Sequence, residues 1–180
     1  MIADFINELQ NELETSDARL RKHWADRMVE EQIPLSSLMM LLHAPGRTAQ
    51  RFTWFIGDLL ERDRDAVREC LPMLFALRDE MPFPGMRRSV AKCLWYQGIP
   101  DELEAEATAE LFKWLKDDKY AVGVKHFASK ALYDLAIEGR VDAKRLDRIL
   151  KQQTQHETVA HAARMEKLRQ KLKKALSAKQ

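Results

Sequence analysis

The sequence contains little of what marks fibrous, disordered or disulfide-rich proteins. Among its 180 residues there are six glycines, six prolines and two cysteines. So few glycines and prolines exclude collagen and flexible linker proteins, and an apolar fraction of 46% excludes a disordered chain. No stretch approaches the roughly 18 uninterrupted apolar residues of a membrane span. Cys70 and Cys93 lie within apolar helical patterns, which suits a reducing compartment better than a disulfide framework.

The chain also lacks an excess of charge of one sign. Thirty Lys and Arg residues oppose 28 Asp and Glu residues, so the net charge of +2 gives no general attraction to nucleic acid or membrane. The N-terminal segment carries Asp4 and Glu8 and no basic region, so we expect no signal peptide and a cytoplasmic location. A chain of this length is expected to form a single domain, residues 1–180.

Motifs of catalysis and metal binding are missing as well. The sequence has no CxxC, HExxH, GxSxG or GxxxxGK segment. His156 and His161 are five residues apart, so we expect them to diverge around a helix rather than form an i, i+4 metal pair. We predict no catalytic residue, no metal site and no cofactor, and we interpret Cys70 and Cys93 as small buried apolar side chains.

What is present is helical periodicity. Apolar residues recur at i, i+3, i+4 and i+7 through almost the whole chain, which predicts about ten helices and no strand, an all-α protein. A short third helix is expected from Pro34 to about His43. Pro72 is expected to kink the fifth helix or to mark its start. Residues 81–85 are the clearest loop, and Gly139 is expected to end the eighth helix.

Short connections make consecutive helices antiparallel, and the resulting hairpins repeat. Residues 88–95 and residues 126–133 match in pattern at a spacing of 38. Residues 74–79 precede a similar segment, residues 111–117, by about 37. A helical hairpin that repeats at this length is typical of a solenoid.

With these segments the chain resembles the HEAT and armadillo family of α-helical repeats. The resemblance covers residues 46–155 as three HEAT-like hairpins, with residues 1–45 as N-terminal capping helices and residues 156–180 as a basic C-terminal capping helix. It implies a right-handed α–α superhelix whose second helices line a concave binding surface. It implies a protein or peptide partner, and it implies no chemistry.

Charge distinguishes the two helix layers that the resemblance implies. The first helices, residues 46–60, 85–97 and 119–137, are net positive, and the last of them contributes Lys119, Lys125 and Lys130. The middle second helix is acidic, so we predict a non-catalytic scaffold whose groove is lined by residues 64–79, 101–116 and 142–154. The predicted partner contacts are Glu102, Glu106, Glu110, Lys113, Arg78, Arg145 and Arg148. Helix-dipole compensation and the general need for surface charge would explain the same acids without a partner.

Two alternatives follow from the basic residues. Nucleic acid could bind the first-helix layer, through Arg47, Arg51, Arg87, Arg88 and Lys92. More specifically, Trp54 and Asp58 lie one helical turn apart near Arg47 and Arg51, which is similar to the aromatic, acid and basic groups of HEAT-like alkylpurine DNA glycosylases.

The last helix is the most one-sided in charge. It holds seven basic residues from Arg164 to Lys179 and one acid, Glu166. It could cap the repeat core, or it could contact nucleic acid, anionic lipid or an acidic partner, and its apolar spacing favours the cap. Self-assembly as the chain's only role is a further possibility.

Overall fold

The structure, a computed structural model, describes residues 2–81 and 83–178. Met1, Pro82 of the expected loop, Lys179 of the basic last helix and Gln180 lie outside the described residues. Within them there are ten α-helices and no β-strand, which confirms the all-α prediction. The helices are α1 (Ile2–Leu13), α2 (Ala18–Glu30), α3 (Leu35–Leu38), α4 (Thr48–Leu59), α5 (Arg64–Ala76), α6 (Pro84–Gln97), α7 (Glu104–Lys116), α8 (Val122–Ile137), α9 (Ala143–Gln153) and α10 (Val159–Ser177).

Three short 3₁₀ helices complete the secondary structure of the described residues: Met39–His43, Leu77–Asp79 and Asp101–Leu103. The chain divides into two compact units, Met1–Gln97 and Gly98–Gln180. Among the described helices, none combines the length and the apolar character that a bilayer crossing requires.

In the unit of residues 1–97, α4 is the central helix. It packs on α2 and on α6, so helices two places apart in the chain lie side by side, while α5 packs on α3 and α6. The side chains of α4 that are almost completely buried explain this position: Phe52, Phe55, Ile56 and Leu59. An apolar surface this wide must be covered by more than one neighbouring helix.

In the unit of residues 98–180, α7 and α8 form the most extensive helix pair. α10 packs on both α8 and α9, and α7 also contacts α9. The last helix therefore docks on the body of its unit, as its apolar spacing indicates, and it buries Met165 and Leu172 there.

Local signals set several helix ends. The side chains of Asp17, Asp63 and Asp142 accept hydrogen bonds from backbone N–H groups in the first turns of α2, α5 and α9. α8 ends before Gly139, whose φ of 78° is the left-handed conformation of a Schellman motif, and Arg140 N donates to Leu135 O at 2.9 Å.

Two boundary predictions need correction. α5 begins at Arg64 and continues past Pro72, so that proline does not mark the start of the helix. The segment predicted as one helix from Pro34 to His43 is a four-residue α-helix followed by a 3₁₀ helix, Met39–His43. Its buried residues are Leu35, Leu38, Met39, Leu41 and Leu42, which contain spacings of three and of four, so the apolar pattern does not distinguish a 3₁₀ helix from an α-helix.

A buried polar network joins α8, α9 and α10. Lys125, assigned to a basic surface from the sequence, is completely buried, and this corrects that assignment. Its Nζ donates to Asp118 Oδ1 at 2.7 Å and to Gln153 Oε1 at 3.0 Å. Gln153 Oε1 also lies 3.1 Å from His161 Nε2. A buried ammonium group needs acceptors, so the amide of Gln153 turns its carbonyl oxygen toward Lys125 and His161. Because that oxygen can only accept, His161 carries its proton on Nε2.

His161 is neutral in this network. Burial is the main cause that lowers its pKa from 6.5 to about 4, and the neighbouring His156, Lys125, His126 and Arg164 lower it further by repulsion. The rings of His156 and His161 are 4.8 Å apart between centroids, contrary to the expectation that they diverge. The reason is that α10 begins at Val159, so His156 belongs to the preceding turn and the angular spacing of a helix does not apply.

The network predicts that Gln153 contributes strongly to stability. Replacing Gln153 with Leu removes one acceptor of the Lys125 ammonium and the acceptor that faces His161 Nε2, so we expect the free energy of unfolding to fall by about 2–3 kcal/mol. Urea denaturation measures this. Gln152→Leu is the matched control, because Gln152 is exposed and should change stability by less than about 0.5 kcal/mol. Equal effects of the two variants would contradict the network.

His161 also predicts a pH dependence of stability. Since its pKa is near 6.5 in the unfolded chain and about 4 in the folded one, the unfolded chain binds more protons between these values. The free energy of unfolding should therefore fall as the pH drops from 6.5 toward 4, by roughly 3 kcal/mol from this group. His161→Gln should flatten this part of the profile. His43→Gln, at an exposed position, should leave it unchanged; parallel profiles for wild type and His161→Gln would refute the assignment.

Candidate functional site

The acidic second helix predicted from the sequence is α7 with its preceding turn. Together with α9 it forms what we call the α7–α9 surface, defined by Glu102, Glu106 and Lys113 on one side and Arg145 and Arg148 on the other; all five side chains are exposed. The guanidinium carbon of Arg145 lies 4.0 Å from the centroid of the Phe112 ring. The structure therefore brings the predicted residues of these two helices into the same unit.

Most of the acids near this surface are bound within the chain. Glu110 is only 8% exposed, and its carboxylate accepts hydrogen bonds from Lys113 Nζ at 2.9 and 3.2 Å. Arg140 binds Glu104 and lies 3.6 Å from Asp101. Its hydrogen bond holds the pKa of Glu104 below the usual value. An incoming partner could reach Glu110 only by competing with an existing ion pair.

Arg78 lies in the unit of residues 1–97. Its guanidinium stacks 4.0 Å above the Phe75 ring, and Nη1 donates to Phe75 O at 2.9 Å. Arg87 Nη2 in turn donates to the Arg78 carbonyl oxygen at 3.0 Å. These arginines hold the end of α5 and its connection to α6 together, which is a structural role.

The residues of the nucleic-acid alternative all lie in residues 1–97. Arg47 and Arg88 are exposed. Lys92, on α6, donates to the carbonyl oxygen of Gly57 on α4 at 2.9 Å, so its ammonium joins two neighbouring helices. Arg51 stacks over the Trp54 ring at 4.6 Å. Part of this basic layer is therefore engaged in packing.

Trp54 and Asp58, the pair that resembles a glycosylase site, are held by arginines. Trp54 is half-buried, and the guanidinium carbons of Arg21 and Arg51 lie 5.3 and 4.6 Å from its ring centroid. Asp58 Oδ2 accepts from Arg21 Nε at 3.1 Å. In this arrangement the indole contacts cations and the carboxylate is neutralised, whereas an extruded nucleotide would need both groups exposed to it. Trp95 is half-buried as well.

One cavity was not foreseen from the sequence, and we call it the acidic groove. It has a volume of 470 Å³ and lies in residues 1–97, where the end of α2 and the start of α3 face the first turns of α5. Apolar and polar side chains both line its walls, and three carboxylates come from the α5 side. The apolar wall residues include Met28, Val29, Ile33 and Leu35, and the acids are Asp63, Asp65 and Glu69.

The acids of this groove differ in their contacts. Asp63 Oδ1 accepts a hydrogen bond from Ala66 N at 3.0 Å and caps α5. Asp65 and Glu69 are exposed, lie one turn apart on α5 and have no hydrogen-bond or ion-pair partner within residues 2–81 and 83–178. Burial and, secondarily, Glu69 raise the pKa of the adjacent Cys70 thiol, which keeps it protonated near neutral pH.

A second cavity, which we call the basic groove, lies in the other unit between α8 and α10. It has a volume of 260 Å³. Its lining comprises His126, Ser129 and Lys130 of α8 with Arg164, Met165, Lys167, Leu168 and Lys171 of α10. The sequence identified the basic character of the last helix but could not identify its neighbour, because the pairing of α8 with α10 spans more than thirty residues of chain.

The described residues contain no cluster of three or more His, Cys, Asp or Glu side chains that could hold a metal ion. Comparison with family models, curated proteins and solved structures finds no match to this chain. The functional argument therefore rests on the side chains of these surfaces.

Proposed function

We propose that this chain is a non-catalytic, protein-binding scaffold built from HEAT-like helical hairpins, and that a partner segment docks in the acidic groove. The solenoid part of the proposal is supported by the packing of alternate helices, α2 on α4 and α4 on α6 in one unit, and α8 on α10 in the other. Stacked hairpins bury their apolar stripes in this way. The free, buried thiols of Cys70 and Cys93 fit the expected cytoplasmic, reducing environment.

The observation that carries the docking proposal is the combination of apolar walls with two unpaired carboxylates. A volume of 470 Å³ lies within the range of ligand-binding clefts, roughly 300–1,000 Å³. Val29 is 40% exposed at the wall, which leaves apolar surface for a partner to cover. The chemistry that fits is a peptide segment with a large apolar side chain flanked by Lys or Arg.

Folding explains only part of the placement of these acids. Asp65 benefits from the dipole at the start of α5, but Glu69 is a turn further on, and like charges at i, i+4 destabilise a helix by roughly 0.2–0.5 kcal/mol. A basic side chain of a partner, placed between Asp65 and Glu69, would attract both carboxylates and offset the repulsion between them. That gain is realised only when a partner is bound, which is the property expected of a binding site.

That a partner docks on the α7–α9 surface as a second site stays a prediction from the sequence. Its acids are largely paired within the chain, whereas its exposed residues Glu102 and Arg148 form no ion pair within the part of the chain that the structure describes. A partner there would meet both negative and positive side chains. The surface would therefore select a partner whose own charges alternate in the complementary pattern, rather than one with a particular net charge.

We expect charge reversal in the acidic groove to weaken peptide binding. The probe is a short fluorescent peptide in which Leu and Lys alternate, and fluorescence anisotropy measures its affinity for the full chain. Asp65→Lys with Glu69→Lys should lower the affinity about tenfold, or about 1.4 kcal/mol, because two attractions become repulsions. Val29→Ser should lower it by a smaller factor without changing its salt dependence, because the apolar wall is uncharged.

The matched control is Glu61→Lys with Glu80→Lys. It changes the net charge equally, in the same unit, at exposed acids that do not line the groove. The proposal expects this control to retain most of the affinity. If both double variants lose the same affinity, binding reflects net charge and the groove is not the site; absence of binding by the wild-type chain would also reject it.

A further inference from the structure

The basic groove has a lining without acids. Lys130, Arg164, Lys167 and Lys171 contribute cationic groups to a cavity that contains no Asp or Glu side chain. The groove therefore has a positive potential, and it attracts an anion of matching shape.

The cations of α10 follow one line along the helix. Arg164, Lys167, Lys171 and Lys174 are spaced at i, i+3, i+7 and i+10, which places them on one face, and all four are exposed. With a rise of 1.5 Å per residue they span about 15 Å, with steps of about 4.5–6 Å. None of the four has a side-chain hydrogen bond or ion pair within the described residues. We call this set the basic stripe.

The nearest acids are occupied elsewhere. Arg169 Nε donates to Asp147 Oδ1 at 2.9 Å, and Arg169 Nη1 lies 3.5 Å from Glu166 Oε2. Glu166 is the only acidic residue in α10. Because both carboxylates pair with Arg169, they leave the basic stripe uncompensated.

The packing of α10 favours one class of anion. Its apolar face is covered by α8 and α9, with Met165 and Leu172 buried, so the helix cannot insert that face into a bilayer. Part of the groove lining is apolar, since Leu168 is only half-buried, so an acidic amphipathic peptide is the competing ligand for this site. Lysine ammonium groups at regular intervals instead match a ligand with regularly spaced, sequence-independent negative charge.

We infer that the basic groove and the basic stripe bind the phosphodiester backbone of a nucleic acid without reading its base sequence. The contacts are ion pairs between phosphate oxygens and Arg164, Lys167 and Lys171, with Lys174 extending the track. The site differs from the sequence-predicted nucleic-acid residues, which all lie in residues 1–97, and it is independent of the acidic groove.

The test uses the full chain with a short labelled duplex of mixed sequence, and anisotropy is measured between about 50 and 200 mM salt. Lys167→Gln with Lys171→Gln should lower the affinity about tenfold at the lower salt. It should also make the slope of log K against log salt less steep by roughly 2, since about 0.9 counterions are released for each phosphate neutralised. A second duplex of different sequence should bind with the same affinity within about threefold.

The matched control is Lys151→Gln with Lys173→Gln, two exposed lysines of α9 and α10 that do not line the groove. It removes the same charge, so an equal loss of affinity would overturn the site. Unchanged melting temperatures show that both variants are folded. Polyglutamate and vesicles containing anionic lipid are the competing probes. If either binds as tightly as the duplex and is equally sensitive to Lys167→Gln with Lys171→Gln, the assignment to nucleic acid is wrong.

Discussion

Most helices in the part of the chain that the structure describes are too short to be stable by themselves. Apart from the very short α3 and the longer α8 and α10, they are 11 to 14 residues long, and isolated helices of about this length are marginal in water. Each therefore depends on burying its apolar stripe against neighbours, both the next helix in the chain and the helix after that. α4 illustrates the constraint most clearly, because its aromatic and aliphatic side chains are covered from two sides. The surfaces left for function are those that this packing does not use.

Those surfaces fall into two groups according to how their charges are satisfied. On α7 most acids are bound by the chain itself, through Lys113 and Arg140, and they stabilise local structure. Asp65 and Glu69 of the acidic groove and the four cations of the basic stripe have no internal partner among the described residues. Unpaired like charges in close sequence oppose folding, so a binding partner gives the better physical explanation for them. The two surfaces differ in sign, and each belongs to one compact unit.

Sequence periodicity predicted the all-α class and nearly every helix, because amphipathic spacing and end signals such as Gly139 are local properties. It did not predict that Lys125 and Glu110 are buried, because burial depends on tertiary packing; the Lys125 partner Gln153, for example, lies on a different helix. The acidic groove was missed for a related reason. Asp65 and Glu69 lie within the predicted groove segment 64–79, but the apolar wall comes from α2 and α3, which the repeat pattern treated as a cap. The superhelix itself stays a proposal, since loose apolar repeats do not fix how successive hairpins stack.

The central claim is that the two charged grooves are separate sites for different ligands. Amide chemical-shift mapping of the ¹⁵N-labelled full chain, titrated in separate samples with the Leu–Lys peptide and with the duplex, tests this most directly. The account predicts that the peptide shifts Ala66, Glu69 and neighbouring amides of α5, and that the duplex shifts Lys167, Lys171 and neighbouring amides of α10. The same amides responding to both ligands, or shifts confined to α7 and α9, would contradict it.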